Sequence, residues 1–362
     1  MPMWQPYTLA RPLTSDLKPV FDACPLPCAR RLRVRRESLS RSSMKIRRWT
    51  QATALAMLAV SAFTACGGSD SNKSSSGLEK TNIKVGVLPI PDAATVYLAR
   101  SKGYFKAEGL NVTPTILTNG SETISRVMSG GVDFSYSAYI PIVQAATQGV
   151  KLRVVTDGYQ GRSNLYPLIT LPNSPIHNAK QLVGKKIGLI NTKGFPSLLT
   201  NAALKNAGVA PDQVHLVEIQ YPNMPAALQN HSIDAAFMTE PFLSQSQQKF
   251  GARVIVDTMA GPTADLPVGG YLTSQKFAKQ NPKTVAAFQR AMAKAQQAAT
   301  DRNQVGQILP TYVKGLSPQV AQTITLGVYP ASLSKTRLQR VADLMTELGV
   351  IKQHYDVSGV LQ

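Results

Sequence analysis

Beyond Cys66 the chain contains no cysteine; the three it has are Cys24, Cys28 and Cys66. A disulfide framework and a thiol nucleophile are therefore excluded from the globular part. Its four histidines, His177, His215, His231 and His354, lack metal-ligand spacing, so no metal is expected. No GxSxG elbow, glycine-rich phosphate cradle or Ser–His–acid arrangement is present, so neither a cofactor nor an enzymatic reaction is expected. Acidic residues are few, 20 against 39 lysines and arginines, which gives a net charge of +19. That balance favours anionic partners such as a membrane surface or an acidic ligand. No basic helix and no basic patch interleaved with aromatics accompanies the charge, so nucleic acid is not an expected partner. The apolar run Trp49–Ala62 is too short to span a bilayer.

What the sequence does hold begins with a targeting segment. Met44-Lys45-Ile46-Arg47-Arg48 is a basic n-region, Trp49–Ala62 an apolar h-region, and Phe63-Thr64-Ala65-Cys66 the end of it. Residues 44–66 resemble a lipoprotein signal peptide, with Cys66 as the lipidated first residue of the mature chain. Phe63 departs from that motif, which usually has leucine there. Residues 1–43 are rich in proline and arginine and lack periodicity, which reads as an upstream extension outside the natural start at Met44. Residues 67–80 read as a flexible tether of Ser, Gly, Asn and Lys.

From Thr81 the chain alternates strand, loop and helix. Ile83–Leu88, Asn111–Leu117, Val132–Ser135 and Leu152–Thr156 read as strands of one lobe. Gly103 closes the first helix in a left-handed cap, and Asn119 precedes Glu122 at capping-box spacing. A second lobe repeats the grammar with strands at Lys186–Ile190, Val214–Ile219, Ile233–Met238 and Val254–Asp257. Two helical stripes close the chain, Val285, Phe288, Met292, Ala295, Ala299 and then Leu338, Val341, Met345, Leu348; both read as core packing. The fold class is α/β, with mainly parallel sheets and the binding crevice at the strands' carboxyl ends. Lobe 1 is assigned residues 81–170 and 269–362, and lobe 2 residues 171–268. Chain crossings are placed near Leu171–Pro175 and Gly261–Tyr271.

YLARSKGYFKAEGLNV, MSGGVDF, AATQGVKLRVV, NAKQLVGKKIGL and DAAFMTEPF resemble the periplasmic substrate-binding proteins of nitrate/sulfonate/taurine-type ABC importers. The thiamine-pyrimidine-precursor binders share the pattern. The resemblance covers Thr81 to about Lys352. It implies a two-lobe clamp of type 2, hinged on two crossing strands and closing on one small ligand. It further implies an exported lipoprotein, anchored outside the membrane through Cys66. As a monomer it would capture a sulfonate-, nitrate- or taurine-like anion and deliver it to the permease and ATPase of an importer. The alternatives are a pyrimidine precursor or other small heterocycle as ligand, or an enzyme or sensor on the same fold.

The candidate ligand-binding residues lie at strand ends. Asp92 follows the first strand, as an N-cap or as a carboxylate for a ligand amine or ring N–H. Asn119, Ser137 and Tyr139 occupy the next two loops, where Tyr139 either meets a planar ligand or packs the rim. Tyr159 follows the fourth strand, with Arg162 three residues on, a clamp for an anion or a solvated loop side chain. In lobe 2 the loop of Thr192, Lys193 and Gly194 offers close backbone approach and a cation, unless Lys193 is plain surface. Tyr221 and Glu240 end two further strands, and Glu240-Pro241 either caps the next helix or meets ligand.

Overall fold

The computed structural model of the protein describes residues 77–117 and 120–361, all within the compact unit Ser69–Gln362. Cys66, the extension, the signal segment and Asn119 lie outside the described residues.

Among the described residues ten strands form two five-stranded sheets of the same plan. In the first, β1 (Asn82–Val87) pairs in parallel with β2 (Asn111–Ile116) and β3 (Phe134–Ala138). β10 (Pro267–Ser274) runs antiparallel between β3 and β4 (Leu152–Gln160), giving the order β2-β1-β3-β10-β4. The second sheet has the order β7-β6-β8-β5-β9, from β5 (Leu168–Thr170), β6 (Lys186–Leu189), β7 (His215–Glu218), β8 (Ala235–Phe237) and β9 (Arg253–Val256). Each sheet thus takes its one antiparallel strand, β10 or β5, from a chain segment that has just crossed from the other sheet. The central strands β3, β8 and β10 are buried along nearly their whole length, as strands covered on both faces are.

β5 already pairs within the second sheet, with β8 and β9, so the first crossing is residues 161–167. The sequence placed it later, at Pro172–Pro175, because that cluster carries the stronger turn signal; the structure corrects this. Similarly Pro267 and Val268 belong to β10 in the first sheet.

The connecting helices of the first lobe are α1 (Ala94–Ser101), α2 (Tyr104–Ala107), α3 (Gly120–Met128) and α4 (Tyr139–Thr147). Gly103 adopts φ 72° between α1 and α2, a left-handed conformation only glycine takes cheaply. The second sheet carries α5 (Phe195–Asn206), α6 (Met224–Gln229) and α7 (Phe242–Phe250). After β10 the chain returns to the first lobe as α8 (Gln275–Gln280), α9 (Pro282–Ala298), α10 (Arg302–Ile308), α11 (Pro318–Ala321), α12 (Lys335–Glu347) and α13 (Ser358–Leu361). The α9 stripe is core: the Phe288 ring stacks on Phe134 at 4.1 Å and Phe105 at 5.6 Å.

The end of the expected tether is fastened to the fold. The Glu79 carboxylate accepts from the N–H groups of Lys283 and Thr284 at the start of α9, an anion on a helix amino terminus. Lys80 reaches Asp133 at 2.6 Å, and Leu78 packs on the core. Residues 78–80, expected in the tether, therefore belong to the fold.

Candidate functional site

Asp92 lies in a one-turn 3-10 helix, Pro91–Ala93, that links β1 to α1, and is only 3% exposed. It is not the cap residue of that turn; Ile90 holds that place. The carboxylate instead accepts hydrogen bonds from the hydroxyl of Tyr136 on β3 (2.8 Å) and of Tyr166 in the first crossing (3.3 Å). No lysine, arginine or histidine pairs with it among the described residues. Burial without a counter-charge penalises the ionised form and pushes its pKa up to about 6, although the two phenols pull the other way.

Aromatic rings surround this carboxylate. Tyr166 meets Phe195, the first residue of α5, edge-on at 5.1 Å and lies parallel to Phe237 at 5.9 Å. Tyr221 stacks on Phe242 at 5.3 Å, is half-buried, and its hydroxyl bonds to nothing among the described residues. Burial first, then the Asp92 charge, raises the pKa of the Tyr136, Tyr159, Tyr166 and Tyr221 phenols, so all four stay neutral donors at physiological pH. Tyr312 and Tyr329 hold the backbone before Asp92, donating to the carbonyls of Ile90 and Pro91. Asp92 thus belongs to the first sheet and touches Tyr166, at the doorstep of the second. The arrangement can receive an ammonium or ring N–H on the carboxylate and a planar or cationic body against the rings.

The other expected residues take diverse places. Ser137 is buried beside Tyr136 and accepts from the Thr123 hydroxyl of α3 (3.0 Å). Thr192, Lys193 and Gly194 form the loop before α5, next to the Tyr166–Phe195 contact. Gly194 is the α5 N-cap, and the Lys193 N–H closes the loop on Asn191 Oδ1 at 2.7 Å. The Lys193 side chain is exposed and has no ion pair among the described residues.

Tyr139 turns elsewhere: 1% exposed, it donates to Asp157 at 2.6 Å, and Arg337 of α12 reaches the other oxygen at 2.7 Å. Burial outweighs the Arg337 charge and raises the Asp157 pKa. Tyr159 is fully buried; its hydroxyl accepts from Gly327 N–H, and its ring leans on Tyr329 at 5.0 Å.

Glu240 is 1% exposed and accepts from Ser244 N–H (3.1 Å) and Oγ (2.9 Å), which satisfies an N–H in the first turn of α7, although the cap residue of that helix is Pro241. It also accepts from Thr325 N–H at 2.9 Å, tying the second sheet to the return segment of the first lobe. Burial raises its pKa.

Sequence reasoning missed Tyr166 and Phe195 as site residues. Tyr166 sits in an apolar run that reads as strand, and only its position two residues before β5 marks it as crossing. The pair Gly269-Gly270, inside the expected crossing Gly261–Tyr271, has a packing cause. A Cβ on Gly269 would lie 2.7 Å from the Tyr136 hydroxyl, and one on Gly270 2.5 Å from that of Tyr139. Among the described residues no group of three or more His, Cys, Asp or Glu side chains converges as a metal site would need.

The fold is that of the periplasmic binding proteins. The crystal structure of the aliphatic sulphonate binding protein SsuA from Escherichia coli superposes with a TM-score of 0.64 at 18% identity, over 78% of this chain and 97% of that one. In sequence, the putative aliphatic sulfonates-binding protein of Bacillus subtilis is 24% identical over 293 residues, 77% of this chain and 85% of the relative. A 4-amino-5-hydroxymethyl-2-methylpyrimidine phosphate synthase of Saccharomyces cerevisiae is 26% identical over 224 residues, 57% of this chain and 63% of the enzyme. Residues 90–304 match the model of the NMT1/THI5-like family, and the chain belongs to that family.

Proposed function

We propose that this protein is an exported solute-binding component of an ABC-type importer, without enzymatic activity, that closes on a small ligand carrying an amino or ring N–H group. The observation that carries the reading is Asp92, a buried carboxylate with tyrosine donors, an aromatic surround and no cation. A buried charge without a partner is costly, and a ligand cation or N–H donor is what relieves it. Nitrate or a simple alkanesulfonate carries the same negative charge as the ionised carboxylate and is repelled by it. A taurine-like aminosulfonate fits the relatives and the carboxylate together: its ammonium meets Asp92, and its sulfonate meets Lys193 and the amino terminus of α5. The second reading is an aminopyrimidine, favoured by the rings of Tyr166, Phe195 and Tyr221.

Export by the 44–66 signal, anchoring through a lipidated Cys66, monomeric action and delivery to a permease and ATPase complete the proposal. Closure would bend the crossings at 161–167 and 257–266. Isothermal titration against taurine, an aminopyrimidine, methanesulfonate and nitrate tests it. Binding of either amine-bearing compound, lost in Asp92→Asn, is expected. Equal binding of nitrate or methanesulfonate by the wild type and Asp92→Asn would refute it.

A further inference from the structure

A cavity of about 360 Å³ opens where the first crossing meets the return segment, lined by Arg162, Ser163, Arg302 and Thr323–Leu326. Neither Asp92 nor its aromatic surround lines it. Two guanidiniums border this one space, and no carboxylate pairs with either among the described residues. Arg302 is held in place, its Nε donating to the Gln322 carbonyl (3.0 Å) and its Nη2 to that of Ile324 (2.5 Å). The Arg162 side chain is exposed and has no partner among the described residues. The nearby carboxylates are already engaged, Asp257 with the Ser163 hydroxyl and Glu240 with Thr325 N–H. Leu326 N–H, in the cavity wall, meets no acceptor among the described residues.

We infer that this cavity is a second ligand site, for a small organic oxyanion such as a dicarboxylate, gripped between Arg162 and Arg302. One guanidinium is preorganised by the backbone and the other is free to close, which suits bidentate capture of a carboxylate or a similar anion. The space reaches the lower range of small-molecule cavities and exceeds what an inorganic ion fills.

Thermal unfolding of the full chain in sodium succinate, against sodium chloride of matched ionic strength, tests the site, since a ligand of the native state raises its melting temperature. Succinate is expected to stabilise the wild type beyond chloride. Arg162→Ala should need about tenfold more succinate or higher for the same shift, with its melting temperature in chloride unchanged, because the Arg162 side chain makes no bond among the described residues and its backbone bond to Leu165 N–H survives the change. Arg162→Lys, which keeps the charge and loses the fork, should fall between. Asp92→Asn should respond as the wild type does. The inference is overturned if succinate matches chloride, if Arg162→Ala responds like the wild type, or if Asp92→Asn changes the response and so places the anion in the main cleft.

Discussion

Replacing Asp92 with asparagine should make the unliganded protein more stable while destroying its binding. Burial raises the carboxyl pKa from 3.8 to about 6. The folded state therefore holds the proton more tightly than the unfolded chain, and stability falls as pH rises from about 4 to about 6. Above that window the ionised group costs the fold about 3 kcal/mol, roughly two pKa units at about 1.4 kcal/mol each. The side chain is 3% exposed, so solvent screening takes little from this figure. Asparagine has the shape of the protonated acid and can still accept from Tyr136. At pH 8 the variant should gain up to about 3 kcal/mol, roughly 5–10 °C in melting temperature, and below pH 4 it should match the wild type. Affinity for an amine-bearing ligand should drop more than about tenfold, the worth of one charge-assisted bond. Thermal unfolding between pH 3.5 and 8, with titration of ligand at pH 8, measures both. A variant less stable than the wild type at pH 8, or a stability difference that ignores pH, would refute the reasoning.

Tyr139→Phe removes one donor from the buried Asp157 and should cost roughly 1.5–3 kcal/mol in urea unfolding with ligand affinity unchanged; a large affinity loss at constant stability would put Tyr139 in the site. Gly269→Ala drives a Cβ to 2.5 Å from the Ser137 carbonyl and 2.7 Å from the Tyr136 hydroxyl, so a destabilisation of about 1–3 kcal/mol or more is expected. It should weaken binding as well, because Tyr136 positions Asp92. Cys66→Ala should move the protein from the membrane to the soluble exported fraction, and unchanged fractionation would contradict lipidation.

The alternation of strands and helices was legible because it rests on local physics: apolar period, glycine at a left-handed cap, apolar stripes in α9 and α12. Those signals act over a few residues, and the packing agrees with them at Gly103, Phe288 and Met345. Asp92 was likewise legible as a carboxylate at a strand end, since sequence fixes which residues follow which strand. What sequence cannot fix is the direction a strand-end side chain takes. Tyr136 and Tyr139 are three residues apart, yet one donates to Asp92 and the other to Asp157. Contacts of long sequence separation decide the difference, through Gly269 and Gly270 from β10 and Arg337 from α12. Glu240 acquires its tie to Thr325, and Tyr166 its place against Asp92, only when segments 85 and 74 residues away arrive. Local chemistry thus determined the elements and the kinds of side chain at their ends. The tertiary structure alone decided which of those side chains meet at one carboxylate, because that depends on partners the chain brings in from afar.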